Sequence, residues 1–525
     1  MTRPSRDEQL VLAVDLGTGG PKVGFVSLTG RVSWQDHFGV VTQRLPKGGA
    51  EQDAEAWWTI ITGAVRKVLA SGAVHAEAIV AVACTGQWDS TVPVDADGVP
   101  VGPCILWQDY RGARHVHEMV GGRVAGYAPA KALRWIRKTG GVPGSSDALA
   151  HMLYLDRDRP DVARAARWYL EPVDYLTMRF TGVASASHAS MTAAWLTDNR
   201  HLDVLEYDAA LVAMAGVDAS KLPPLRATGS IVGPVRDDVA TELGLPAGVQ
   251  VVAGLTDLHA AAIGCGALGE YEAHMALSTT SWISAPVPFK RTDVFNQIAC
   301  VPGLTPELYL IANSHDTGGV CLEWLRDNVL TESDQQPCPY DELTAIAGSS
   351  TPGSGGILFT PWLKGERSPV DDRHARAGFH NLSLTTGRAD MVRAVLEGVA
   401  FNNRWLHEAV EKFVKRRLDP IRMVGGGAAS ELWCQIHADA MDRTIERVAE
   451  PLHAQLRGVG IAAGLALGAV TAGEVRDLVT VEATFTPDPA NRVAYERLYA
   501  EFPKLYKAQK AMFARLNRSP IGARQ

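Results

Sequence analysis

The chain has 525 residues, of which 46% are hydrophobic and 21% charged. That apolar content excludes a disordered protein, and the length allows roughly two to four domains with buried cores. Fifty-one Lys and Arg against 58 Asp and Glu leave a formal net charge of −7, without the basic excess that a dedicated nucleic-acid or membrane-surface protein presents on one face.

The seven cysteines, Cys84, Cys104, Cys265, Cys300, Cys321, Cys338 and Cys434, form an odd set with no Cys-x-x-Cys pair. Neither a disulfide framework nor a structural zinc site is expected, and the chain reads as cytoplasmic. Residues 10–14 predict a buried strand and are too short for the apolar region of a signal peptide. Residues 22–28 predict a second strand, and a third follows the Thr29-Gly30 turn. This is an antiparallel opening, unlike the strand–helix start of a dinucleotide-binding unit. Between the first two strands lies Asp15-Leu16-Gly17-Thr18-Gly19-Gly20-Pro21-Lys22. Glycines allow several backbone N–H groups to crowd around a phosphate, and a carboxylate at a strand end suits Mg²⁺. A tight hairpin between two core strands accounts for the same residues. The spacing excludes a P-loop.

Residues 54–71 predict a helix, and residues 78–85 an apolar strand that ends in Gly86-Gln87-Trp88-Asp89. Together with Trp107-Gln108-Asp109-Tyr110-Arg111, this segment offers aromatic faces for sugar C–H groups and polar groups for hydroxyls. For Trp107 alone, core packing is the competing explanation. Residues 249–253 predict a strand running into Gly254-Leu255-Thr256-Asp257. A carboxylate there faces the crevice where α/β proteins gather ligands, although an N-cap for the next helix is an equal alternative. His259 reads as a packing or supporting residue.

Residues 273–277 and 282–287 predict two strands flanking Ser278-Thr279-Thr280-Ser281, so the opening pattern recurs and implies two related halves with a boundary near residue 257. Residues 421–424 predict a strand, and Gly425-Gly426-Gly427-Ala428 leads into a helix beginning near Ser430, an arrangement that favours an anionic ligand. The uncharged stretch 458–473, rich in Ala and Gly, predicts a buried core helix and falls short of a membrane span. The fold class expected is α/β, with two domains facing a cleft.

Taken in order, these segments resemble the FGGY carbohydrate kinase family. The resemblance runs through Asp15-Leu-Gly-Thr18, Glu51-Gln-Asp53 with Trp57-Trp58, Ile105-Leu-Trp107-Gln-Asp109-Tyr-Arg111, Asp174-Tyr-Leu176 with Thr181-Gly182, and Ala189-Ser190 with Thr192. It continues through Lys221-Leu-Pro-Pro224, Asp257, Ser278-Thr-Thr-Ser-Trp282, Gly318-Gly319 with Trp324, Gly365-Glu-Arg-Ser-Pro369, Arg393-Ala-Val-Leu-Glu-Gly398 and Gly425-Gly-Gly-Ala428.

The resemblance implies two actin-like, ribonuclease H-like ATPase domains around a central cleft. Residues 1–256 would bind sugar and carry the first phosphate turn, and residues 257–525 would bind nucleotide and end in helices. ATP and Mg²⁺ are the implied cofactors. Asp15 resembles the metal-associated carboxylate, and Gly17, Thr18 and Lys22 the first phosphate turn. Thr279, Gly318, Gly425, Gly426, Gly427 and Ala428 resemble the nucleotide-side residues. Asp257 resembles the general base, and it falls with Gln87, Trp88, Asp89 and Asp109 where the family contacts its sugar.

The implied activity is transfer of the ATP γ-phosphoryl group to a ketopentose such as D-xylulose. A polyol such as glycerol or erythritol, or another ketose, is the alternative, and a non-catalytic actin-like protein ranks last. No nucleic-acid or membrane partner is expected, and a homodimer is compatible with the family. Two departures stand out. Gln87-Trp88-Asp89-Ser90 replaces the Gln-Met-His-Gly usual in xylulose-phosphorylating members, and Ser278 replaces the glycine of a Gly-Thr-Ser turn.

Overall fold

A computed structural model of the chain describes residues 5, 7–124, 128–331 and 336–517. The first expected hairpin forms from β1 (Leu10–Gly17) and β2 (Gly20–Ser27), with Asp15 opposite Lys22 and Gly17 opposite Gly20. β3 (Val32–His37) pairs antiparallel with β2. β1 is buried along almost its whole length, which explains its unbroken apolar sequence: a strand covered on both faces has no polar side to alternate with. Helix α1 (Ala54–Ser71) starts where the Asp53 carboxylate accepts the Glu55 N–H and stops at Gly72, which takes the left-handed conformation (φ 72°). That is a conventional N-cap and C-terminal glycine pairing.

β4 (Ile79–Gly86) runs parallel to β1. β5 (Ile231–Pro234), β6 (Gln250–Val252) and β7 (Leu255–Thr256) complete the sheet in the order β5-β6-β4-β1-β2-β3, with β7 also paired to β4. Helix α2 (Asp257–Gly264) leads out of this sheet toward the second one.

The second sheet has the order β9-β8-β10-β11-β12. Its strands are β8 (Ala273–Leu277), β9 (Ser281–Ser284), β10 (Ile421–Val424), β11 (Ile445–Val448) and β12 (Val481–Phe485). The two sheets share one pairing pattern. In each, an antiparallel hairpin (β1/β2; β8/β9) is followed by two parallel neighbours (β4 and β6; β10 and β11) and an antiparallel edge (β5; β12). They differ in that the edge strand precedes its neighbour in the first sheet and follows it in the second.

Helices α3 (Arg388–Val414) and α4 (Glu431–Met441) cover the second sheet. Ser430 caps α4 by accepting the Trp433 N–H at 3.2 Å. Two C-terminal helices, Pro489–Tyr499 and Phe502–Leu516, lay aromatic side chains against this core. Phe401 and Tyr495 lie 5.9 Å apart, and Trp362 and Phe502 5.5 Å apart.

The uncharged run near residue 460 forms α5 (Ala454–Ala466), which begins earlier than the sequence suggested and ends before Gly468 (φ 69°). Its small residues do more than fill a core. A Cβ at Gly458 would sit 2.0 Å from the Ala260 carbonyl oxygen on α2, and one at Gly264 would sit 1.8 Å from that of Ala454. Cβ atoms at Gly460 and Gly464 would meet Val26 and the Leu28 carbonyl of the first sheet, each at 2.5 Å. Helix α5 is therefore one joint at which the second half touches the first. Arg457 adds a hydrogen bond from Nη1 to the Gly264 carbonyl at 3.1 Å.

All seven cysteines are free and six are buried. Among the described residues no helix is long and apolar enough to cross a membrane.

Because the clash at Gly458 is with backbone rather than with a flexible side chain, Gly458→Ala is expected to lower stability by about 3 kcal/mol or more. Gly473→Ala, whose added carbon meets nothing within 4 Å, is expected to change it by less than about 0.5 kcal/mol. Thermal unfolding of the two variants checks this, and similar midpoints would remove α5 as a joint.

Candidate functional site

Three parallel strands of the first sheet end at the same level. Asp15 on β1 lies opposite Thr85 on β4, and Leu255 and Thr256 on β7 lie opposite Thr85 and Gly86. Asp15 and Asp257 thus flank the carboxyl end of β4, the edge where open α/β sheets present ligand sites. Lys22 Nζ lies 3.4 Å from Asp15 Oδ2. The Gly17–Gly20 turn is braced from outside: Gln52 Nε2 donates to the Thr18 carbonyl at 2.8 Å, and the Trp107 indole N–H donates to Thr18 Oγ1 at 2.9 Å. Gly20 has φ +134°, and a Cβ there would lie 1.9 Å from the Phe38 carbonyl oxygen, so only glycine fits. Gly19 faces open space.

Thr256, not Asp257, occupies the N-cap of α2, and Asp257 is the first helical residue. Its Oδ1 accepts the Leu258 N–H at 2.8 Å. Burial, reinforced by the negative charge of Asp15, pushes the Asp257 carboxyl up to about 7. His259 plays the supporting part expected of it. Its Nε2 donates to the Pro302 carbonyl at 2.8 Å, which leaves Nδ1 to accept the Thr256 hydroxyl at 2.7 Å. Burial lowers its pKa to about 4, so the ring is a neutral tie between α2 and the strand that ends at Pro302.

Beyond β4, the Gln87 N–H donates to the Leu16 carbonyl at 2.8 Å. The Gln87 side chain is buried, and its Nε2 has no hydrogen-bond partner among the described residues. The Trp88 indole N–H donates to the Ser190 carbonyl at 2.7 Å. Asp89 takes a left-handed backbone (φ 67°), and its Oδ1 accepts the Ala148 N–H at 3.0 Å. It thereby caps the helix Ala148–Asp158 from another segment, while that helix's own N-cap residue, Asp147, turns its carboxylate to the Gly144 N–H and the Trp195 indole.

Asp89 and Asp147 are half-buried neighbours. Burial and then the charge of Asp147 hold the Asp89 carboxyl well above the usual carboxylate range, and burial raises Asp147 as well. Beneath them Glu171, also raised chiefly by burial, accepts the Ser90 N–H at 3.1 Å. Ser90 Oγ in turn accepts the Trp107 N–H at 3.1 Å. The departures at Trp88, Asp89 and Ser90 therefore build an acidic wall with Trp107 tied to it. Asp147 and Glu171 escape a sequence reading because each looks like an ordinary helix start.

Asp109 stands apart from this group, and the sugar contact expected of it has no free atom to use. The side chain is 0% exposed. Its Oδ1 accepts from the Arg111 N–H and Nε, and its Oδ2 from the Ala50 N–H and from Arg111 Nε and Nη2. With Glu51 2.6 Å from Arg111 Nη2, it forms a saturated structural ion cluster.

The remaining candidates assemble in the second half, where β8 and β10 end side by side with Ala276 opposite Val424. The Gly318 N–H donates to the Thr279 carbonyl at 2.8 Å and the Gly319 N–H to the Ser278 carbonyl at 2.6 Å. A Cβ at Gly318 would lie 2.7 Å from the Thr280 carbonyl oxygen. From the other side Gly425 (φ 92°) approaches the same turn, and a Cβ there would lie 2.5 Å from the Leu277 carbonyl and 2.7 Å from Ser278 Oγ. Gly427 packs on the Leu277 side chain, Ala428 is wholly buried, and Gly426 borders the exposed Leu452. Thr279 is exposed at the tip of the turn. Ser278 is not among the described residues with positive φ, so serine replaces the family's glycine here without backbone strain.

The chain matches the FGGY family of carbohydrate kinases, N-terminal domain, over residues 10–264 and the C-terminal domain of that family over residues 268–467. It is 26% identical to a xylulose kinase of Staphylococcus epidermidis, over 97% of this chain and 99% of the relative. It is 24% identical to a gluconokinase of Bacillus subtilis, over 96% of this chain and 97% of the relative. Its fold superposes on the crystal structure of gluconate kinase from Lactobacillus acidophilus with a TM-score of 0.85 at 21% identity, covering 97% of this chain and 100% of that one. With both family domains matched in order, the chain belongs to the FGGY family of carbohydrate kinases, phosphotransferases with an actin-like ATPase fold.

Proposed function

We propose that this sugar kinase transfers the γ-phosphoryl group of ATP to a hydroxyl of a ketopentose, D-xylulose foremost, with Asp257 as general base. Residues 1–256 would supply the acceptor site and first phosphate turn, and residues 257–525 the nucleotide site. The observation that carries the reading is Asp257 at the start of α2, two residues beyond Leu255, which shares Thr85 of β4 as a partner with Asp15, with a carboxyl raised to about 7. A base whose pKa lies close to the working pH combines a useful ionised fraction with real affinity for the proton.

The residues present suit a magnesium nucleotide. Two carboxylates converge with one lysine as counter-charge. Glycines 318, 319 and 425 keep backbone close to the Ser278–Thr280 turn, where side chains would clash. Bound magnesium supplies charge neutralisation at the phosphate oxygens, and Asp15 is the residue that would hold it. Gly17, Thr18 and Lys22 would face the phosphates from the first half. Thr279, Gly318 and the Gly425–Ala428 segment would face the nucleotide from the second.

In the reaction the acceptor hydroxyl oxygen bonds to the γ-phosphorus while the bond to the bridging oxygen of ADP breaks. Asp257 orients that hydroxyl and takes its proton, which later passes to water. Positioning does most of the work, since the transition state is loose and asks little covalent help from the protein. Gln87, Trp88 and Asp89 would contact the sugar. The wall of Asp89, Asp147 and Glu171 offers carboxyl oxygens to the hydroxyls of a polyhydroxylated acceptor.

An ADP-release assay across ketopentoses, ketohexoses, polyols and gluconate is expected to give the largest kcat/KM with a ketopentose. A larger value for gluconate or glycerol would overturn the substrate assignment. Asp257→Asn is expected to reduce kcat by about 10²–10⁴-fold with ATP affinity essentially unchanged, and near wild-type turnover would remove Asp257 from the chemistry.

The raised pKa also fixes a sign. Asp257 must be ionised to act, so kcat/KM for the acceptor should fall as pH drops through about 7. For stability, a carboxyl raised in the folded state opposes folding once ionised. The nucleotide-free Asp257→Asn protein should therefore gain thermal stability over wild type as pH rises from the ordinary carboxylate range through about 7, and the difference should level off above that. A constant difference across that window would show that Asp257 has an ordinary pKa.

A further inference from the structure

The hairpin at residues 365–373 belongs to the second half, yet it reaches the acceptor wall of the first. Glu366 and Asp372 exchange backbone hydrogen bonds at 2.9 and 2.7 Å. Gly365 (φ 95°) lets the strands close, since a Cβ there would lie 2.8 Å from Arg373 Cα, and the Tyr506 hydroxyl donates to Asp372 Oδ2 at 3.0 Å. The hairpin is thus a built support. At its end, Arg373 Nη1 donates to the Tyr110 hydroxyl at 2.6 Å, with the guanidinium 5.0 Å from the ring centre. This is a direct bridge to the segment that carries Trp107.

Glu366 is fully buried, and one carboxylate organises several neighbours. Oε1 accepts the backbone N–H groups of Arg367 at 2.9 Å and Asp316 at 3.3 Å. Oε2 accepts from Asn402 Nδ2 at 2.5 Å and lies 3.2 Å from His315 Nδ1. The backbones that project Arg367 and Asp316 are fixed together in this way. The Arg367 side chain remains 42% exposed, and its one ion pair among the described residues, Nε to Asp316 Oδ1, is long at 3.6 Å. Such a pair leaves most of the five guanidinium N–H donors free. The positive charge of Arg367 is felt by Asp89 and Asp147, lowering both carboxyls against the effect of burial. The Arg373–Tyr110 bond, with Trp107 tied through Ser90 to the residue beside Asp89, brings the end of this hairpin against the segments that carry the acidic wall.

We infer that Arg367 is a specificity-determining residue that the second half contributes to the acceptor site, donating to oxygens of a keto-polyol whose hydroxyls are accepted by Asp89 and Asp147. Glu366 is its positioning residue. The chemistry is complementary: a guanidinium only donates, the carboxyl oxygens of Asp89 and Asp147 can accept, and a ketose presents both a carbonyl and hydroxyls. Because its two sides come from different halves, the acceptor contact is complete only when the halves are together. This inference rests on the proposed sugar-kinase reading.

The test is steady-state kinetics of the full chain with the preferred sugar and ATP varied separately, for Arg367→Ala, Arg367→Lys, Asp89→Asn and the Arg367→Ala/Asp89→Asn double variant. Arg367→Ala is expected to raise the acceptor KM about tenfold or more, as loss of a charged hydrogen bond should, with the ATP KM within about twofold. Arg367→Lys should restore part of the loss, and the double variant should fall short of the product of the single effects. An unchanged acceptor KM, equal rises in both KM values, or strict multiplicativity in the double variant would overturn the inference. A wild-type protein inert toward every sugar would sink the proposed function together with this inference. An active wild type matched by Arg367→Ala would sink the role of Arg367 alone.

Discussion

The contact on which the architecture turns is the close crossing of α2 and α5. Two helices approach with glycine at both crossing points, so tightly that a single added carbon at Gly458 or Gly264 would fall within about 2 Å of opposing backbone, at 2.0 and 1.8 Å. Helix α5 then continues across the first hairpin through Gly460 and Gly464. Since α2 begins at Asp257, the same contact sets where that carboxylate stands relative to the second half. Interiors packed this closely hold discrete arrangements rather than a continuum.

Electrostatics at the cleft follow from geometry rather than from composition. A chain with a modest charge of −7 concentrates Asp15 and Asp257 at one sheet edge, and Asp89, Asp147 and Glu171 beside it. Burial and mutual repulsion hold Asp257 and the wall residues above the ordinary carboxylate range. Perturbed carboxyls gathered at one sheet edge mark a candidate site. Asp109 is the contrast. It is also a carboxylate and is fully buried, yet Arg111 and the Ala50 N–H saturate it, and it serves the wall rather than the ligand.

Several elements were readable in advance because their physics is local. Residues 10–14, 273–277 and 421–424 lie in strands buried on both faces, so each appears as an unbroken apolar run. The repeated hairpin with a small-residue turn disclosed two related halves, and the matching sheet pairings bear this out. Other features depended on partners far away in the chain. Asp147 reads as an N-cap, yet Asp89 does the capping. Nothing near residue 367 announces that its positive charge is felt at Asp89 and Asp147. The run at 458–473 declares a buried helix but not that it joins the halves.

The strand pattern, the duplicated hairpins, the glycine turns and the family were legible along the chain, because apolar periodicity, turn chemistry and ordered motifs are carried by neighbouring residues. Which carboxylates come together, which are spent on internal ion pairs, and which arginine crosses from the other half emerged from the folded arrangement. Those outcomes depend on distance through space. Charge interaction, desolvation and steric closeness act between atoms regardless of how many residues separate them along the chain.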